Sequence, residues 1–304
     1  MANKRPAKKS KEDVGSTKMT VGVVERHVAF ETNILSINVP PELDMNLSSG
    51  IGFMDDLTGG GWVPSSVCLL TGMPGAGKTT LALQLADAMH TVDNGGDTVA
   101  VYLGCEEAAV QMRKTVRRLG LNNGFIVDDC DLIDRCVSWK NDARRSVMDH
   151  LRALRSKYGK LVDAVDDQGR TYKKYVGKRF VIICDSLQSH DDGQYYNGHT
   201  NTRTQVRVAE QLAALAKSPE WGYPVIILIG QVNKGGDFAG PQQLKHAIDM
   251  HLELVIDLKK DSPTKGKRLL QFTKNRFGIT GHCYVINVTS KGLVEEGLLQ
   301  DFGD

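Results

Sequence analysis

The octapeptide Gly-Met-Pro-Gly-Ala-Gly-Lys-Thr at residues 72–79 limits the possible folds of this chain more than any other feature. It fits the pattern G-x-x-x-x-G-K-S/T. Residues 66–71 before it are largely apolar, and residues 79–90 after it carry apolar side chains at helical spacing. The sequence therefore predicts a strand, a glycine-rich loop and a helix in immediate succession.

A loop of this kind is suited to holding phosphate groups. Its glycines let backbone N–H groups face the α- and β-phosphates at the amino end of a helix, where the helix dipole favours negative charge. The spacing brings Lys78 to the β- and γ-phosphates and makes the Thr79 hydroxyl a ligand for Mg²⁺. The predicted nucleotide contacts are Gly72, Gly75, Ala76, Gly77, Lys78, Thr79 and Thr80.

Hydrolysis needs carboxylates as well, and two strand ends supply candidates. Asp185 follows the apolar run 180–184, as a Walker-B aspartate does, and is predicted to bind Mg²⁺; an ordinary strand-end aspartate is the alternative. Glu106 follows the apolar run 98–103 and is predicted to be the general base that activates water. Glu107 is the alternative base, and the two glutamates could instead cap the next helix.

Strands and helices alternate along most of the chain, which predicts an α/β fold with a parallel sheet covered on both faces. The predicted strands of this part are 66–71, 98–103, 180–184 and 224–229. The predicted helices are 79–90, 108–119, 144–155 and 205–217. An all-β stretch follows, with predicted strands at 252–258, 268–274 and 283–288.

Charge is unevenly spread behind a formal net charge of +2. Residues 1–18 carry six Lys or Arg and two acids, and residues 259–278 carry seven Lys or Arg and one acid. The rest of the chain is acidic, so any nucleic-acid contact must be a local patch. No apolar run approaches the roughly 20 residues of a membrane span. Without CxxC pairs or a secretory signal, we expect a cytosolic protein with reduced cysteines.

Composition also suggests boundaries along the chain. Residues 1–18 are predicted to be a disordered basic tail, residues 19–50 a lead-in segment, and residues 51–304 one ATPase domain. Residues 157–179 are predicted to form an inserted surface hairpin. The histidines, among them His251, lack metal-ligand spacing and are interpreted as ordinary surface or core residues.

Several of these segments resemble RadA/Sms proteins, which are bacterial RecA-superfamily ATPases. The similar segments are 104–107, 117–121, 185–188, 230–241, 244–249 and 274–278. The last of them, Lys-Asn-Arg-Phe-Gly, matches a pentapeptide of that family, and the resemblance runs from about residue 46 to 298. We expect no counterpart here of the family's four-cysteine zinc module and Lon-protease-like domain. The resemblance therefore implies a RecA-like P-loop motor core, with a twisted, mainly parallel sheet flanked by helices and antiparallel C-terminal strands.

The resemblance also implies a contribution from a neighbouring subunit. Lys274 and Arg276 would reach the γ-phosphate of the nucleotide bound by the neighbouring subunit, where a cation stabilises the transition state. A solvated end of a basic β-hairpin is the alternative. Gln231, just past the strand 224–229, would sense the γ-phosphate; a buried amide satisfied by backbone is the alternative.

Two loops are candidates for contact with single-stranded DNA. The loop 234–243 offers Lys234 for phosphate contact and Phe238 for base stacking. The loop 191–207 offers Arg203 and Arg207. Both could instead be plain surface loops.

Together these features predict a DNA-dependent ATPase of homologous recombination or recombinational DNA repair, using ATP and Mg²⁺ on single-stranded DNA. We expect a homo-oligomer, with a hexameric ring favoured over a filament, in the cytoplasm of a bacterial or phage-infected cell. Other recombination or replication proteins are further candidate partners. The alternatives are a DnaB-like replicative or branch-migration helicase and, in another class, a KaiC-like regulatory ATPase acting through protein partners.

Overall fold

The computed structural model describes residues 33–104, 107–128, 137, 147–166, 169–194, 203–232 and 243–302. The predicted tail and residues 19–32 of the lead-in segment lie outside these ranges. Residues Val39–Asp304 form one compact unit, to which everything below refers. The predicted domain boundary at residue 51 stays a prediction.

The secondary structure of the described residues is as follows. The helices are α1 (Pro41–Asp44), α2 (Gly52–Thr58), α3 (Lys78–Met89), α4 (Ala109–Leu119), α5 (Val147–Tyr158), α6 (Thr204–Ala216) and α7 (Leu244–Ala247). The strands are β1 (Val67–Gly72), β2 (Thr98–Gly104), β3 (Ile126–Val127), β4 (Gly159–Val165), β5 (Thr171–Gly177), β6 (Arg179–Asp185), β7 (Val225–Gln231), β8 (Met250–Ile256), β9 (Arg268–Asn275), β10 (Cys283–Thr289) and β11 (Gly292–Leu298).

Nine of these strands form one sheet in the order β11-β10-β9-β8-β1-β7-β6-β2-β3. The six strands from β8 to β3 run parallel, and β9, β10 and β11 continue the sheet antiparallel. The predicted fold class, a mainly parallel α/β sheet with antiparallel C-terminal strands, is confirmed. Because β1 is central, the loop that follows it opens at the middle of the carboxyl edge, where parallel sheets place their ligands.

The sheet is covered on both faces, as the uninterrupted apolar strands require. Every residue of β1 and of β2 is buried. One apolar layer contains side chains of α2, α3 and α4, and the other contains side chains of α5, α6 and α7. No helix within the described ranges is long and apolar enough to span a membrane.

The structure adds elements that the apolar pattern does not reveal. Helix α2 occupies residues before the glycine-rich turn at 59–61 and is capped by Gly59, whose φ of 76° is in the left-handed region. The short edge strand β3 and the final strand β11 were not predicted. The described part of helix α5, Val147–Tyr158, continues three residues beyond the predicted end.

Strands β4 and β5 pair only with each other, as an antiparallel hairpin where the sequence predicts one. Tyr175 anchors the hairpin, because it is only 3% exposed and its ring lies 6.0 Å from that of Phe180. That the hairpin is an insertion into the domain stays a prediction.

Candidate active site

The loop between β1 and α3 has the geometry of a phosphate cradle. Gly75 and Gly77 have φ angles of 78° and 111°, which favour glycine. These angles let the loop turn so that its backbone N–H groups face inward. A Cβ on Gly72 would lie 2.4 Å from the carbonyl oxygen of Leu254 on β8, so the first position also requires glycine. Helix α3 then starts at Lys78, with its amino end directed at the loop.

Lys78 lies across the opening of this loop. Its side chain is 9% exposed, and its Nζ donates hydrogen bonds to the carbonyl oxygens of Gly72 at 2.7 Å and Met73 at 3.1 Å. These two carbonyls hold the ammonium group beside the loop. Phosphate oxygens carry far more charge than carbonyls, so they can draw the same group onto a bound nucleotide.

Asp185 and Thr79, the two predicted Mg²⁺ ligands, lie within one hydrogen bond of each other. The Thr79 hydroxyl donates to Oδ2 of Asp185 at 2.8 Å, and the Tyr102 hydroxyl donates to the same oxygen at 2.6 Å. Asp185 ends β6 and is 9% exposed. A hydroxyl and a carboxylate are the hard oxygen donors that Mg²⁺ prefers, so these residues fit the ion. Tyr102 was missed by sequence reasoning because it lies inside an apolar strand.

The remaining predicted loop contacts lie on either side of this centre. Ala76 is buried, and Thr80 is half-buried in the first turn of α3. A Cβ on Gly77 would lie 3.3 Å from the side chain of Leu293 on β11. The C-terminal strands therefore pack directly against the loop.

Gln84 fixes that packing between α3 and β11. Its amide nitrogen donates to the carbonyl oxygen of Leu293 at 3.1 Å, and its amide oxygen accepts from the backbone N–H of Leu293 at 2.9 Å.

Arg268 is a second cation at the same loop and was not singled out from the sequence. It begins β9, and its guanidinium lies 3.4 Å from the carbonyl oxygens of Gly75 and of Ala76. A bond of 2.9 Å to the carbonyl oxygen of Gly266 holds it there. Arg268 thus braces the middle of the loop, while Lys78 holds its start.

The predicted general base, Glu106, lies outside the described residues. The strand that leads to it ends beside the metal ligands, because Gly104 is in register with Asp185. Asp128 holds that strand end by accepting the Gly104 N–H at 2.8 Å. Glu107, the alternative base, is half-buried. The choice of Glu106 stays a prediction.

Gln231 ends β7 in register with Gly72, so this predicted sensor lies at the beginning of the phosphate loop. Its side chain is exposed, which differs from the alternative of a buried amide. Its role as a sensor stays a prediction.

Lys274 and Arg276 lie at the opposite end of the sheet from their own phosphate loop. Asn275, between them, is in register with Met250, and Met250 with Cys68 near the start of β1. Gly72 lies four residues further along β1, or about 13 Å at the usual rise of a strand. These two cations therefore do not reach the nucleotide site of their own subunit.

Both cations are held in place by backbone or carboxylate oxygens. Lys274 donates to the carbonyl oxygens of Lys245 at 2.5 Å and Ile248 at 2.6 Å, at the end of α7. Arg276 donates to Oδ1 of the buried Asp249 at 2.9 Å. Partial burial, and secondarily the charge of Arg276, lower the pKa of the Lys274 ammonium group.

The candidate DNA contacts are only partly described. Lys234 and Phe238 lie outside the described residues. Arg203 is exposed at the start of α6. Arg207 is half-buried and forms an ion pair with the buried Asp192, with a further hydrogen bond of 3.2 Å to Thr204. The charge of Arg207 is therefore compensated within the chain, as that of Arg276 is by Asp249, and its contact with DNA stays a prediction.

A family model described as ATPase: KaiC matches residues 47–294, most of the chain. The chain belongs to the KaiC family of ATPases. The match includes the phosphate loop of this KaiC-family ATPase and ends within β11.

Curated relatives of this KaiC-family ATPase are named DNA repair protein RadA. The relative from Mycobacterium tuberculosis is 31% identical over 242 residues, covering 79% of this chain and 41% of the relative. That from Mycolicibacterium smegmatis is 30% identical over 285 residues, covering 92% and 51%. The chain thus spans about half the length of these relatives or less. They confirm the predicted RadA-like, RecA-superfamily ATPase core.

A solved structure shows the same fold. The KaiC-like protein from Pyrococcus horikoshii OT3 superimposes with a TM-score of 0.54 at 18% identity, covering 83% of this chain and 98% of that protein.

The contact between Tyr102 and Asp185 gives a direct prediction. Tyr102→Phe is expected to slow ATP hydrolysis about tenfold, because a hydrogen bond to a charged group contributes about 1.5 kcal/mol. The Mg²⁺ concentration for half-maximal rate should rise, since the carboxylate loses one of its orienting partners. Phosphate release measured across an Mg²⁺ titration tests this, with Tyr172→Phe on the separate hairpin as the control. An unchanged Mg²⁺ dependence would contradict the role given to Tyr102.

Proposed function

We propose that this protein is an oligomeric, DNA-dependent ATPase of recombinational repair that works on single-stranded DNA. The position of Lys274 and Arg276 carries the proposal. Both lie at the end of the sheet opposite their own phosphate loop, so each nucleotide site needs a second subunit to gain these cations. The link to DNA repair rests on the relatives, which are named DNA repair protein RadA.

In each subunit, the loop N–H groups and Lys78 bind the phosphates of ATP. Thr79 and Asp185 would hold Mg²⁺, which would supply positive charge to neutralise the transferring phosphoryl group. Glu106 takes a proton from the water that attacks the γ-phosphorus, and the bond from that phosphorus to the bridging oxygen of ADP breaks. We assign the response to the γ-phosphate to Gln231, whose register with Gly72 supports this role.

Lys274 of one subunit, with Arg276, completes the site of the next. An asymmetric contact of this kind joins different surfaces of two copies, and so generates a closed ring or a helical filament. Hydrolysis is then coupled to the interface, because the cation reaches the γ-phosphate only when two subunits meet correctly. We favour the hexameric ring.

The DNA contacts are assigned to Lys234, Phe238 and Arg203. Residues 233–242 lie between β7, which ends at Gln231, and α7, whose last carbonyls bind Lys274. A DNA-binding loop between these two elements would connect both halves of the nucleotide site. The relatives are bacterial, so we place this activity in the cytoplasm of a bacterial or phage-infected cell, alongside other recombination or replication proteins.

The test is ATP turnover and particle mass with and without single-stranded DNA. Oligo-dT is expected to raise turnover severalfold and to increase the assembled mass, and the effect should weaken with salt because phosphate contacts release counterions. Lys234→Ala should reduce the response to DNA. Lys217→Ala, an exposed lysine at the end of α6, serves as the matched control. If DNA changes neither turnover nor mass, the proposal fails.

A second candidate function is favoured by the family match, which carries the name KaiC. A regulatory ATPase acting through protein partners would assemble with ATP and ignore DNA in the same assay. A DnaB-like or branch-migration helicase would in addition unwind a forked duplex with one polarity.

A further inference from the structure

His251 forms a hydrogen-bonded connection across three strands. It lies on β8, is 2% exposed, and its Nε2 is 2.9 Å from the hydroxyl of Thr71 on β1. Its Nδ1 is 2.7 Å from the hydroxyl of Thr273 on β9. Thr71 directly precedes the phosphate loop and Thr273 directly precedes Lys274. The imidazole therefore connects β1, which leads into the subunit's own phosphate loop, to the residue before Lys274, the cation proposed to act in the neighbouring subunit.

The contact falls on an irregularity of the sheet. Leu252 is in register with Phe272 and His251 with Lys274, so Thr273 is an extra residue, a β-bulge on β9. Regular pairing would set Thr273 opposite His251 and Lys274 opposite Met250. Because side chains alternate between faces, the bulge moves Lys274 to the face on which His251 lies.

That face is the one where Lys274 finds its partners. Leu69, in register with His251, belongs to the apolar layer that also contains Leu244 and Ile248 from the α7 region. The Lys274 ammonium accordingly bonds the Ile248 carbonyl. Without the bulge, Lys274 would point to the opposite face, away from α7.

We propose that His251 is a positioning residue that fixes the Thr273 bulge and thereby aims Lys274 at the nucleotide of the neighbouring subunit. This inference rests on the proposed function, in which Lys274 acts in a second subunit. The hydrogen bond between Thr71 on the central strand and Nε2 sets the orientation of the imidazole. In this orientation Nδ1 contacts Thr273.

The imidazole is suited to this role as a neutral group. Burial, with the charges of Lys245 and Lys274, lowers the pKa of His251 to about 4, and the carboxylate of Glu253 lies 3.8 Å away. A neutral ring has one donor and one acceptor nitrogen, and a hydroxyl can serve as the partner of either. Leucine fills similar space and offers neither.

The test compares two variants on their own and in mixed oligomers. His251→Leu and the near-isosteric Thr273→Val are each expected to lower ATP turnover at least tenfold while ATP affinity stays within about twofold. Thr273 is exposed, so its variant keeps the test valid if His251→Leu folds poorly.

Each of the two variants is then mixed with Lys78→Ala subunits, which lack a working loop but carry a correctly aimed Lys274. Turnover should rise severalfold, because intact loops of the first variant now meet intact Lys274.

His90→Leu, which alters another histidine that is 2% exposed, is the control and should gain nothing from mixing. The inference is overturned if both variants keep wild-type turnover, or if their lost turnover is not restored by Lys78→Ala subunits. A mixture of Lys274→Ala with Lys78→Ala distinguishes failure of the proposed role of Lys274 from failure of the proposed role of His251. If that mixture stays inactive, the proposed contribution of Lys274 to its neighbour fails; if it recovers and the His251→Leu mixture does not, only the role of His251 fails.

Discussion

Lys78→Ala is expected to reduce ATP turnover at least about a hundredfold, as removal of a charge-stabilising donor does in other active sites. The ammonium group now held by the carbonyls of Gly72 and Met73 is a full positive charge at the mouth of the loop. Without it, the loop of this subunit keeps its backbone N–H donors, the helix dipole and the more distant charge of Arg268. Steady-state phosphate release measures the effect, and binding of a fluorescent ATP analogue reports the accompanying loss of affinity.

The folded state should tolerate this change, which makes the kinetic loss interpretable. The Lys78 amine bonds the loop carbonyls of Gly72 and Met73, which water can satisfy once the side chain is shortened. We therefore expect the midpoint of thermal unfolding to move by only a few degrees. Lys160→Ala, on an exposed position of the hairpin, is the control for removal of a lysine. Turnover above half of the wild-type value in Lys78→Ala would contradict the proposed role of the phosphate loop in ATP hydrolysis.

The parts of this site that sequence predicts are those encoded by neighbouring residues. The loop 72–79 carries its strand, its glycines and its helix within one short stretch, so both its conformation and its chemistry follow locally. Asp185 is similarly marked by the apolar strand before it. Long, fully buried strands also predict the parallel sheet, because each needs a cover on both faces.

The residues that sequence does not reveal depend on register. Tyr102 reaches Asp185 only because β2 and β6 are neighbours in the sheet, and Arg268 reaches the loop only because β9 begins at that level. His251 was interpreted as an ordinary histidine, since its partners are 180 and 22 residues away and one of them lies on a bulge. No local pattern encodes a bulge between two strands.

Strand β9 gives a physical reason for coupling between neighbouring sites. Arg268, at its beginning, touches the loop of its own subunit, and Lys274, near its end, is the cation proposed to serve the next subunit. Between them, β9 is hydrogen-bonded to β8 and β10 over most of its length, which makes it stiff. Strand β9 therefore gives a continuous hydrogen-bonded connection from the residue that touches the loop to Lys274.

Lys274→Ala is expected to lower ATP turnover about a thousandfold, the lower end of the effect of cations supplied by a second subunit in phosphoryl transfer. Nucleotide binding should be nearly unchanged, because the proposed contribution of Lys274 is to charge that develops in the transition state and not to the binding of ATP. A loss of turnover at constant affinity for ATP separates this variant from Lys78→Ala, which affects both. Wild-type turnover in Lys274→Ala would refute the proposed role.

Mixing the two inactive proteins gives the sharper measurement, because the defects lie on opposite surfaces of the subunit. In an equal mixture, half of the loops are intact and half of their neighbours carry Lys274, so turnover should recover to about a quarter of wild type in a head-to-tail assembly. Recovery requires that the loop of one chain and Lys274 of another form one site, since neither protein alone contains a working pair. If Lys274 instead served its own subunit, no mixture could combine the two groups and the activity would stay at the level of the separate variants.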